Sequence, residues 1–121
     1  MNKWGVSIAR FALYVLRLQM VPENWIEACR PEELPPGSRK LVKVNNLEVA
    51  LFNLEGVIYA IKNRCPHRSG PLIRGFIDRA GRIKCPMHGW RFDLRDGSSE
   101  RPARATVYQV KVENGLLYLC L

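Results

Sequence analysis

Histidine is scarce in this chain, with two in 121 residues, and acidic residues are few, 11 against 19 lysines and arginines. No stretch of eighteen uncharged apolar residues occurs, so the sequence offers no helical membrane span. No small-residue cleavage site follows the apolar N-terminus, so no secretion signal is read and the expected location is cytoplasmic. No internal repeat and no low-complexity tract is present beyond the two short motifs described next. No nucleophile with an acid–base pair stands out, which argues against catalysis by the chain itself. At 121 residues and 47% hydrophobic composition, the chain can bury one modest core and is too short for two independent domains.

What the sequence does contain is concentrated. Both histidines stand beside a cysteine, in Cys65-Pro66-His67 and Cys85-Pro86-Met87-His88. Thiolate and neutral imidazole are good ligands for iron or zinc. Residues 68 to 84 separate the motifs, so each can form the tip of its own loop and the two loops can close on one centre. Two centres use two Cys and two His: a structural zinc with all four on one ion, or a 2Fe-2S cluster with cysteines on one iron and histidines on the other. Zinc modules usually pair Cys with Cys and His with His along the chain, whereas here each loop offers one of each. That pattern favours the cluster, with a structural zinc-binding interaction module as the alternative.

Followed outward, Cys65-Pro66-His67-Arg68-Ser69-Gly70-Pro71-Leu72 and Cys85-Pro86-Met87-His88-Gly89-Trp90-Arg91-Phe92-Asp93-Leu94 resemble the metal loops of the Rieske-type ferredoxins. The likeness extends to Trp25-Ile26, Leu34-Pro35-Pro36-Gly37, Val49-Ala50-Leu51-Phe52 and Tyr59-Ala60-Ile61, and so covers residues 23 to 121. It implies one Rieske-type 2Fe-2S cluster per chain, with Cys65 and Cys85 on one iron and His67 and His88 on the other. It also implies an all-β domain of antiparallel sheets, with the cluster at the end of a small subdomain built around the two loops. The implied function is one-electron transfer from a flavin-dependent reductase to a terminal ring-hydroxylating oxygenase. The small Rieske subunit of an assimilatory nitrite reductase, bound to its large subunit, is similar over the same residues and remains the alternative.

The implied ligand set has an electrostatic consequence. Two ferric ions, two sulfides and two thiolates sum to zero charge when the other ligands are neutral imidazoles. Reducing a neutral centre is easier than reducing a dianion, which accounts for Rieske potentials of about −150 to +300 mV against about −400 mV for plant-type ferredoxins. High-potential relatives carry an extra cysteine in each loop, as a disulfide, and a serine after the second His-Gly. Here Gly70, Met87 and Trp90 stand instead, so a low-potential carrier is expected.

The formal net charge is +8. Lys62, Arg64, Arg68, Arg74, Arg79, Arg82, Lys84, Arg91 and Arg95 face only Asp78, Asp93 and Asp96 between residues 62 and 96. A positive field around the metal loops is expected to steer partners with acidic docking surfaces. Nucleic acid is not expected, because no binding module accompanies the charge.

Residues 1–21 lack acidic residues, and Lys3, Arg10 and Arg17 share one stripe at helical pitch opposite an apolar face that stops at Pro22. An amphipathic basic segment is expected there, able to touch a membrane surface or a partner, followed by the Rieske domain over residues 22–121. Beyond Trp25, alternating strands are expected at Arg39 to Val44, Val49 to Leu54, Val57 to Ile61, Arg82 to Cys85, Arg91 to Leu94, Thr106 to Val112 and Leu116 to Cys120. Pro31 to Leu34 reads as a helical turn. Gly70, Pro71 and Gly89 suit tight loops, and Ser98 to Pro102 is the candidate third loop covering the metal. Cys29 and Cys120 read as free buried thiols, with a disulfide as the lesser alternative.

Overall fold

The structure, a computed structural model, describes residues 25–121. The segment expected at residues 1–21 lies outside the described residues. Six strands form one antiparallel sheet: β1 (Trp25–Cys29), β2 (Arg39–Val44), β3 (Leu47–Leu54), β4 (Val57–Lys62), β8 (Val107–Glu113) and β9 (Leu116–Cys120). Their order is β1-β9-β8-β4-β3-β2. The remaining strands, β5 (Phe76–Ile77), β6 (Arg82–Lys84) and β7 (Arg91–Asp93), make a second, three-stranded antiparallel sheet in sequence order. One metal motif lies between β4 and β5 and the other between β6 and β7. The fold is therefore the expected all-β arrangement with a two-loop subdomain. Among the described residues no helix is long and apolar enough to cross a membrane.

Turn chemistry sets the register of the large sheet. Asn45 and Asn46 have φ of 50° and 66°, Glu55 and Gly56 53° and 94°, and Asn114 and Gly115 54° and 75°. Two successive left-handed residues define the type I′ hairpin turn, whose twist matches that of the flanking strands. Val44 thus pairs with Leu47, Leu54 with Val57, and Glu113 with Leu116. The first of these corrects one boundary: β3 begins at Leu47 rather than Val49, because a two-residue turn brings Leu47 directly opposite Val44. Strand β5 was not expected, since two residues carry no periodic signal. The Pro31–Glu33 turn is a single-turn 3-10 helix as expected, and a second one occurs at Leu72–Arg74.

Strand β3 is the wall between two cores. Val49, Ala50, Leu51 and Phe52 are all fully buried, which a one-sided strand cannot achieve because successive side chains point to opposite faces. Val49 and Leu51 pack with Val42, Val44, Ala60, Leu117 and Leu119 inside the large sheet. Ala50 and Phe52 pack on the other side with Ile61, Leu72, Ile83, Phe92, Leu94 and both metal-loop cysteines, Cys65 and Cys85. The end of the molecule that carries the two Cys-His motifs is thus rooted in a hydrophobic core shared with the main sheet.

Polar ties reinforce that junction. The Arg39 guanidinium on β2 donates to the carbonyls of Ile73 at 2.9 Å and Gly75 at 2.7 Å, and lies over the Phe52 ring. Buried Asn63, two residues before Cys65, accepts the Ile73 N–H at 2.7 Å and donates to Glu48 at 3.2 Å. Both ends of the first metal loop are therefore tied to the large sheet, one through exposed Arg39 and the other through Asn63, whose burial makes an unmade hydrogen bond costly. Cys29 and Cys120 are free thiols. In the β1–β9 ladder Trp25 faces Cys120 and Cys29 faces Leu117, so the two sulfurs sit at opposite ends of the pairing.

Candidate metal centre

The two motifs fold into equivalent loops. In the first, the Cys65 N–H donates to the Gly70 carbonyl at 2.8 Å and the Ser69 N–H to the Cys65 carbonyl at 2.7 Å. In the second, the Cys85 N–H donates to the Trp90 carbonyl at 2.7 Å and the Gly89 N–H to the Cys85 carbonyl at 2.9 Å. Each loop thus closes five residues after its cysteine, and the fourth residue is left-handed, Ser69 at φ 61° and Gly89 at φ 77°. Glycine meets that demand without a Cβ penalty. Ser69 is held there while its hydroxyl accepts from Arg64 Nε at 2.9 Å.

This closure brings the four expected donors together in like pairs, cysteine beside cysteine and histidine beside histidine, sorted by depth. Cys65 and Cys85 are each 1% exposed, deep in the core. His67 is half-buried and His88 exposed, with ring centroids 4.8 Å apart. Burial pushes the Cys65 thiol up, N–H groups of His67 and Arg68 directed at its sulfur pull it down, and adjacent Cys85 raises it again. Two backbone donors aimed at one sulfur suit a thiolate. Burial also lowers the His67 pKa, and the nearby His88, Arg68 and Arg101 lower it further. His67 Nδ1 is buried with no hydrogen-bond partner. A buried lone pair left without a donor is unusual and suits a metal ligand, so the residues present fit a centre with two sulfurs beneath and two imidazoles above.

Close approach explains Gly70. A Cβ there would lie 3.0 Å from Cys85 Sγ and 2.5 Å from Met87 Cγ. Gly70 and Met87, where high-potential relatives carry the extra cysteines, do lie against one another. We expect Gly70→Ala to lower both bound iron and the thermal midpoint, with overpacking costing about 1–3 kcal/mol. Iron per chain and a melting curve check this; values equal to wild type would show that the loop absorbs the methyl group.

Trp90 is half-buried and packs on the cysteine-containing core. Its ring stacks on His67 at 3.9 Å with an interplanar angle of 6°, and the Arg101 guanidinium lies 5.2 Å from the indole centroid. The expected third loop therefore reaches the site through Arg101. Sequence reasoning missed Arg101 and Asn63: one is an ordinary arginine in a polar loop, and the other gives no local sign of its burial. A groove of about 680 Å³, lined by Tyr59, Ile77, Arg79 and Arg95 among others, contains none of the four donors.

A two-sheet antiparallel β fold carrying paired cysteines and histidines on twin loops defines an iron–sulfur electron-transfer domain. Residues 24–111 match the Rieske [2Fe-2S] domain family; the chain belongs to that family, and its cofactor is a Rieske-type 2Fe-2S cluster. The ferredoxin component of the naphthalene 1,2-dioxygenase/salicylate 5-hydroxylase systems of a Ralstonia species is 41% identical over 96 residues, 76% of this chain and 90% of that protein. Among solved structures, the ferredoxin of carbazole 1,9a-dioxygenase from Nocardioides aromaticivorans IC177 superposes with a TM-score of 0.73 at 25% identity. The match covers 81% of this chain and 98% of that one. A chain in a complex of reduced oxygenase and oxidized ferredoxin of carbazole 1,9a-dioxygenase gives 0.70 at 25% identity, over 81% and 94%.

Proposed function

We propose that Cys65 and Cys85 hold one iron and His67 and His88 the other, and that the chain carries single electrons from a flavin-dependent reductase to a terminal oxygenase. The observation that carries this reading is the sorted donor set, with buried sulfurs, outward imidazoles and an unpartnered His67 Nδ1. When bound, the cluster supplies one-electron exchange; the chain fixes its ligands and leaves one of them open to a partner. Exposed His88 provides that opening, while the core around both cysteines excludes water from the sulfur side. The ferredoxin components among the relatives favour a carrier over a fixed nitrite reductase subunit.

The docking face has its own support. Met87, beside His88, is 57% exposed, and Pro66 and Pro86 are exposed next to it. The ion pairs among the described residues engage Lys40, Arg82, Arg95 and Lys111. Among the described residues, Arg64, Arg68, Lys84 and Arg91 make no such pair, so positive charge around the tip stays uncancelled. An apolar centre with a charged rim is the anatomy of a transient interface, and it fits a partner whose acidic residues surround a small apolar patch. A cytoplasmic location, where a flavin-dependent reductase and its oxygenase would meet the chain, is part of the same proposal.

Purified anaerobically, the protein should contain about two irons and two acid-labile sulfides per chain, with a midpoint potential near the low end of the family range, about −150 mV. One zinc per chain without sulfide would sink the cluster ligation. A potential above about +100 mV would instead reveal strong hydrogen bonds to the cluster that Trp90 does not provide.

A further inference from the structure

One hydroxyl fixes the backbone of the loop from Ser99 to Ala103. Ser99 Oγ donates to the Ala103 carbonyl at 2.7 Å and accepts the Arg101 N–H at 3.1 Å. Glu100 pairs with Arg82 Nη1 at 3.2 Å, and Arg82 is itself fixed by Asp78 at 3.0 Å. The nearest acidic neighbour in sequence is thus turned away, and Arg101 has no carboxylate partner among the described residues. The His67 imidazole stacks on Trp90 at 3.9 Å, and the Arg101 guanidinium lies over the same indole, 5.2 Å from its centroid.

The geometry points to Arg101 as a positioning residue of the redox centre, clamping Trp90 against His67 and holding an uncancelled positive charge one ring beyond the outer ligand pair. The inference rests on the reading of His67 as a ligand. A reduced centre carries one more negative charge than an oxidised one, and a fixed cation within roughly a Debye length (~10 Å at 0.1 M salt) favours it. Arg101 therefore raises the potential, offsetting part of what the absent hydroxyl donor leaves out. The indole blocks water from one side of His67, so the charge acts partly through a ring rather than through solvent.

The test is the midpoint potential of the loaded protein, by protein-film voltammetry, in R101K, R101Q and R101E. The expected order is wild type close to R101K, then R101Q, then R101E, each step more negative. For R101Q the reduced-to-oxidised ratio at fixed potential should fall about threefold, about 28 mV at 59 mV per tenfold for one electron. The spread should narrow in 1 M salt, where the Debye length is about 3 Å. In a W90A background the R101Q shift should shrink, because the guanidinium has lost its platform; where W90A does not load, the Arg101 series decides alone. One potential for all four loaded proteins overturns the inference, as does an R101K shift as large as that of R101Q, which would mean packing without charge. Absence of cluster from the wild-type protein would overturn the ligand reading along with it, so the two failures are distinguishable.

Discussion

Replacing His67 or His88 by alanine is expected to abolish retention of the cluster, while Cys29→Ala and Cys120→Ala leave its spectrum intact. The difference follows from position. His67 presents a buried Nδ1 with no other partner, and His88 sits 4.8 Å from it across the mouth of the site. Cys29 packs inside the large sheet against Leu34 and Val49, and Cys120 lies at the far end of the β1–β9 ladder. Loss of one ligand from an iron held by two leaves half its protein coordination, and affinity should fall by orders of magnitude, since even removal of groups that only orient ligands typically costs 10–100-fold. Iron and sulfide analysis with the low-temperature electron-spin signal checks both halves. A normal Rieske signal in either histidine variant would overturn the assignment, and loss of signal in Cys29→Ala would show that this thiol of the large sheet bears on the site.

Charge reversal at the first loop should have the second largest effect. Arg64 and Arg68 are exposed, flank His67 and form no ion pair among the described residues. Electrostatic steering can multiply association rates by about 10–1000-fold. Changing both arginines to glutamate moves the local charge by four units, so the second-order rate of electron transfer to an acidic partner should fall about tenfold or more at low salt. Arg64 also donates to the Ser69 hydroxyl at 2.9 Å, so the iron content of the double variant must first be shown equal to wild type. Stopped-flow mixing with the cognate reductase and oxygenase, identified from neighbouring genes, measures the rate. Wild-type rates in the double variant, with no dependence on ionic strength, would place docking on another face.

Much of this was written locally. The donors are legible because histidine occurs twice, each time beside a cysteine, and few other roles produce that pattern. Asn114-Gly115 announces its hairpin because both residues tolerate positive φ, and the alternation along β2 and β9 shows which face is buried. The run Val49 to Phe52 is equally visible as buried, yet nothing in it tells that alternate residues serve two different cores. That division depends on which strands approach each face, and those strands come from distant parts of the chain.

What the sequence determined by itself is therefore what short-range chemistry can encode: ligand types, left-handed turn residues, strand periodicity, and the sign of the charge near the loops. Only the tertiary structure decided the rest. It sorted the four expected donors into a buried sulfur pair and an outer imidazole pair, set Arg101 over Trp90 and Trp90 over His67, pinned the first loop to β3 through Asn63 and to β2 through Arg39, and left Arg64 and Arg68 without ion-pair partners among the described residues. Each of those outcomes is a contact or a missing contact between residues brought together by closure of the fold. A side chain's neighbours along the chain fix its backbone conformation, but the groups that desolvate it, stack on it or neutralise it arrive from elsewhere.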